Sequence, residues 1–207
     1  MAAPEPRVVP RFAAEPPQEL LPYGRWAEQL QQEFLAACLR IEPDEGEELG
    51  EPGEVAFHPD RTWHGRTFVG CTARTSAGLE LYGYVSFIPG SDDREPAGFT
   101  AVADYTGDTI EHHPEWQADL CDEVVGSWRG EQGKVAAMTL VWGRAVRDAR
   151  PVAVAELADL VVDQCPVVDG RFALLAPDDF RGDTLEVALF DGNGREVARE
   201  SLYAEDE

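Results

Sequence analysis

Lysine is nearly missing from this chain: Lys134 stands alone, and the other basic residues are arginine, 17 bases in all against 40 aspartates and glutamates. The net charge of −23 and pI of about 4.4 repel phosphate backbones and anionic lipid, which disfavours ordinary nucleic-acid binding and docking on anionic lipid. The arginine bias fits a GC-rich bacterial coding sequence more simply than a halophilic source. Long apolar runs are also missing; nothing approaches the roughly 18 residues a membrane span needs. The proline-rich start, Met1-Ala-Ala-Pro-Glu-Pro-Arg, has no apolar segment of the kind a secretory signal carries. Cys38, Cys71, Cys121 and Cys165 lie far apart with no C-x-x-C spacing. They read as free thiols of a reducing cytoplasm, although an even count leaves a bridge open. No internal repeat is present.

What is there amounts to a foldable core. Of 207 residues, 43% are hydrophobic and five are tryptophan, enough for one large domain or two small ones. Residues 1–22, with six prolines, read as an extended arm, because proline fixes φ and lacks an N–H. In Gly24–Ile41 the residues Trp26, Leu30, Phe34, Ala37 and Ile41 recur at helical spacing, and Pro43 follows, which predicts an amphipathic helix. Glu42–Glu54 holds seven acids and no base and reads as a solvated loop.

Strand-length runs follow at Val55–His58, Arg66–Ala73, Leu79–Ile88 and Gly98–Tyr105, with a turn expected at His58-Pro59-Asp60. Leu79, Leu81, Gly83, Val85 and Phe87 alternate with Glu80, Tyr82, Tyr84, Ser86 and Ile88, as in an antiparallel meander. Thr109–Trp128, with Pro114 at its first turn and Trp116, Leu120 and Val124 four apart, predicts a second helix. Further strands are expected at Val135–Val141, Arg171–Ala176, Leu185–Phe190 and Glu196–Leu202, the last two joined by Asp191-Gly192-Asn193-Gly194, a hairpin spacer. Val154–Val162 leaves helix and strand open, its Ala155–Leu160 part leaning to a helical turn.

The expected fold is α+β and β-rich: an antiparallel meander, two amphipathic helices and a small sandwich-like C-terminal module. The divisions are an arm at 1–22, a helix and sheet subdomain at 23–130 and a β-module at 131–207, or one continuous domain over 23–207. The Val168–Leu202 block resembles part of an immunoglobulin-like or transthyretin-like sandwich. That resemblance covers about a sixth of the chain and implies a fold, with no function attached.

Chemistry is sparse. There is no G-x-S-x-G, and Cys121 falls on an apolar stripe, where burial makes a thiol inert. Asp191-Gly-Asn-Gly echoes a calcium loop, but position twelve is Leu202 where glutamate is needed. His112 and His113 are the metal candidates, though their spacing matches no structural zinc pattern. No cofactor is implied. The surface candidates are Phe12, Leu20 and Leu21 on the arm, and Tyr82, Tyr84 and Arg74 on the meander, because Tyr, Trp and Arg dominate interface energetics. These point to a non-catalytic accessory protein that contacts another protein, or its own copies, with no direct nucleic-acid contact. Two alternatives are a small hydrolase or isomerase using the histidines with carboxylates, and an acidic DNA mimic.

Overall fold

The computed structural model describes residues 21–90, 95–129, 135–145, 152–157, 159–178 and 184–202. One helix and eleven strands follow in order. They are α1 (Gly24–Cys38), β1 (Pro52–Trp63), β2 (Arg66–Thr75), β3 (Glu80–Ile88), β4 (Ala97–Thr106), β5 (Ala118–Arg129), β6 (Val135–Ala145), β7 (Val152–Leu157), β8 (Leu160–Pro166), β9 (Arg171–Asp178), β10 (Leu185–Phe190) and β11 (Glu196–Ser201). The strands form three sheets: I in order β1-β2-β3-β4, II in order β5-β6-β9, and III in order β11-β10-β7-β8. Every pairing is antiparallel.

Alternation along each strand explains the stacking. On sheet I, Val69, Cys71, Leu81, Val85 and Phe87 meet Leu30 and Phe34 of α1 in one apolar cluster. Trp26 of the helix packs edge-on against Phe87 with ring centroids 4.7 Å apart. The opposite face of sheet I sends Phe68, Tyr82 and Tyr84 against Met138, Leu140, Trp142, Ala173 and Leu175 of sheet II. The residues between those, Val141, Phe172, Leu174 and Ala176, face Ala155, Leu185, Val187 and Leu189 of sheet III. Sheet II is thus covered on both faces, which is why β9 is buried from Phe172 to Asp178 and reads as an unbroken apolar run. The order of layers is helix, sheet I, sheet II, sheet III.

Close approach between layers is set by glycine at one position above all. A Cβ on Gly70 would lie 2.5 Å from Cγ of Trp142, so the largest buried side chain sits flat on bare backbone. A buried ion pair crosses the layers. Arg61 of β1, 1% exposed, binds Asp163 of β8, whose other oxygen accepts the Leu175 N–H of β9 at 2.8 Å. Burial pushes the Asp163 carboxyl up, while Arg61 and the N–H groups of Leu175 and Gln164 pull against it.

Three expectations need correction. The helix predicted over Thr109–Trp128 is a run of turns followed by β5, so the described residues hold one helix where two were expected. Both faces of β5 are half-buried between layers, which blurs the two-residue alternation and leaves a four-residue spacing that is accidental. The helical turn near Ala155–Leu160 is the β7–β8 hairpin, in which Leu157 pairs with Leu160 and Asp159 takes a positive φ of 61°. The turn expected at His58-Pro59-Asp60 is a bulge inside β1, where the register with β2 slips between Phe57 and Asp60. Proline's missing N–H is tolerated at such a bulge. No helix among the described residues is long and apolar enough to cross a membrane.

Candidate functional site

The bulge matters because it carries His58. On the face of sheet I turned toward sheet II, Ala56 and His58 of β1, Thr72 of β2 and Glu80 of β3 form one wall of a small cavity. The other wall is a row across sheet II in which Asp119 pairs with Arg144, and Arg144 with Arg171. About 60 Å³ of room for water remains between them. Gly143 keeps the row tight, since a Cβ there would lie 2.2 Å from the Asp119 carbonyl oxygen.

His58 is 3% exposed, and neither ring nitrogen has a hydrogen-bond partner. Backbone groups of Phe172 and Gly143 lie near enough to favour the charged ring, yet none meets hydrogen-bond geometry. Burial, reinforced by Arg171 and then Arg144, lowers the His58 pKa to about 3. Burial pushes the Glu80 and Asp119 carboxyls up, Glu80 further because of Asp119, while Arg144 opposes both shifts. Burial also raises the Cys121 thiol well above its usual range. A base must titrate near the working pH to be effective, so His58 is a neutral polar group here, and the thiol is no nucleophile.

A second feature lies alongside. Tyr82 and Tyr84 are half-buried, and Tyr84 packs against Phe68 with ring centroids 5.9 Å apart. Their partners across β4 are Asp104 and Val102, both exposed, so the face of sheet I steps out into solvent at β4 beyond β5. Burial raises the Tyr82 phenol, and the charges of Asp104, Glu123 and Asp122 add to it. Burial likewise raises the Glu123 carboxyl, with Asp122 and Asp104 adding. Among the described residues no Arg or Lys forms an ion pair with Asp104, Asp122 or Glu123. This step is acidic and aromatic; Arg66, whose charge reaches Tyr84, is held by Ser86, Thr100 and the Gly98 carbonyl and pairs with none of these carboxylates.

The other candidates are dispersed. Phe12 and Leu20 lie outside the described residues. Leu21 lines an open cleft with Ala27, Val55 and Phe57. Arg74 is half exposed at a sheet margin and pairs with Glu111. His64 stacks on Trp63 at 4.2 Å beyond the end of β1. His112 Nδ1 lies 2.9 Å from the Gly107 carbonyl oxygen. His113 stacks on Trp116 at 4.3 Å and reaches Glu115 at 3.1 Å and Asp108 at 3.4 Å; Glu115 first, opposed by desolvation and joined by Asp108, raises its pKa. Among the described residues no three His, Cys, Asp or Glu side chains are arranged to hold a metal ion. Sequence reasoning missed Glu80, Asp119, Arg144 and Arg171, which come from four different strands. Only the proline inside an apolar strand, at Pro59, signalled that His58 is set apart.

No protein-family model, no curated protein and no solved structure matches this chain.

Proposed function

We propose that this is a non-catalytic accessory protein that receives a basic segment of another protein on the step formed by β3, β4 and β5. The observation that carries the reading is the pair Tyr82 and Tyr84 beside Asp104 and Glu123, carboxylates without a cation of their own among the described residues. An arginine entering there would lie on tyrosine rings and between carboxylates, gaining both cation–π and charge-assisted contacts. The overall charge of −23 would speed the approach of such a partner. The arm, through Leu21 at the α1 cleft, supplies a second contact in this reading. The hydrolase alternative draws no support from His58, which stays neutral, or from the remaining histidines, which stand apart from it.

The test is fluorescence anisotropy with a labelled arginine-rich peptide over a salt series, beside native mass spectrometry of the protein taken from its own host. Binding should fall with added salt and weaken several-fold in the double variant Asp104→Asn, Glu123→Gln. A protein that always flies alone, with peptide affinity indifferent to those two substitutions, overturns the reading.

A further inference from the structure

The cavity around His58 shares no residue with the acidic step and calls for a different ligand. Its charges are sorted across its width: Glu80 of β3 and Asp119 of β5 lie on one side, Arg171 of β9 on the other, with Arg144 between. Arg144 and Arg171 are direct cross-strand partners, and like charges so placed repel unless something anionic sits against both. Neither forms an ion pair among the described residues. His58, 3% exposed and unpartnered at both nitrogens, leaves a donor and an acceptor unused in an interior where that is costly.

We propose that this cavity binds a small zwitterion, a molecule carrying one ammonium and one carboxylate group, such as an α-amino acid with a minimal side chain. The ligand carboxylate bridges Arg144 and Arg171 and accepts the His58 N–H. Its ammonium donates to Glu80 and Asp119. Size sets the limit: a water needs roughly 10–15 Å³ of such space, so about 60 Å³ holds about four to six non-hydrogen atoms. A simple anion would face the two carboxyls, and a simple cation the two guanidiniums. Only a ligand with both charges meets all four.

The experiment follows the His58 ring by ¹⁵N NMR, with calorimetry, while the full chain is titrated separately with glycine, acetate and methylammonium. Glycine should shift the His58 resonances and bind at least about tenfold tighter than either half-molecule. Glu80→Gln and Arg171→Gln should each weaken glycine about tenfold. Unchanged tryptophan emission checks the fold of each variant, and should Arg171→Gln unfold, Glu80→Gln carries the comparison. Acetate or methylammonium binding as tightly as glycine, or a His58 ring indifferent to all three, overturns the proposal. The acidic step rests on other residues, so none of these results bears on it; Arg171 also lines the α1 cleft, which makes Glu80→Gln the variant that separates the two readings.

Discussion

His58 should make the fold acid-sensitive, and replacing it with glutamine should remove that sensitivity. A histidine in the unfolded chain titrates near 6.5, whereas His58 in the fold has been driven to about 3 by burial and the two arginines. The unfolded state therefore takes up a proton that the folded state refuses. Stability from this group is fully present above about pH 6.5 and is lost as pH falls toward 3, at about 1.4 kcal/mol per pH unit. Between pH 6.5 and 4.5 that amounts to about 3 kcal/mol, a large share of the margin of an ordinary domain. The groups facing His58 pull the other way. Glu80 and Asp119, raised in the fold, hold protons more firmly there than when unfolded, which favours the fold as pH drops. The variant isolates the histidine. Urea unfolding followed by tryptophan fluorescence, at half-unit steps from pH 7.5 to 4.5, should show wild type losing about 3 kcal/mol relative to His58→Gln. Parallel curves would mean that His58 protonates in the fold as readily as in the unfolded chain, and the argument from burial would fail.

Two further substitutions probe the layers. Gly70→Ala places a methyl 2.5 Å from the Trp142 ring and should cost about 1–3 kcal/mol in urea unfolding, with a shift in emission as the indole is displaced. Asp163→Asn strips the carboxylate charge from Arg61, 1% exposed, and should cost about 3–5 kcal/mol. The paired replacement Arg61→Met, Asp163→Leu should recover most of that loss, and a double variant as unstable as the single one would refute the desolvation argument.

Local pattern made most strands visible in the sequence, and layer assignment only where one side of a strand is wet or apolar. β10 runs over Leu185–Phe190 as expected, and α1 buries the Leu30, Phe34 and Ala37 stripe that predicted it. The alternation of β3 foretold that Leu81, Val85 and Phe87 would turn one way and Tyr82 and Tyr84 the other. It failed at β5, whose Asp119, Cys121 and Glu123 are half-buried against sheet I; charge on an inward face defeats any reading by hydrophobicity. The cavity was illegible for a different reason. Its row Asp119–Arg144–Arg171 exists only through the register of β5, β6 and β9, and register between strands so distant in sequence is written in no local motif.

The same register ties the acidic composition to the binding proposal. Several arginines among the described residues are committed elsewhere: Arg61 to Asp163, Arg74 to Glu111, and Arg199 to Glu156, Glu186 and Glu196 together. Arg66 is held by Ser86, Thr100 and the Gly98 carbonyl, and Arg144 and Arg171 face the cavity. With bases this scarce, the carboxylates of β4 and β5 are left without a cation where they flank Tyr82 and Tyr84. Mutual repulsion among such groups weakens the fold, and a basic partner relieves it on binding. Peptide affinity and unfolding stability should therefore respond to salt in opposite senses: added salt screens the attraction to the peptide but also screens the repulsion within the chain. If salt instead lowered both, the acidic step would not be under electrostatic strain, and the reason for expecting a cation there would be gone.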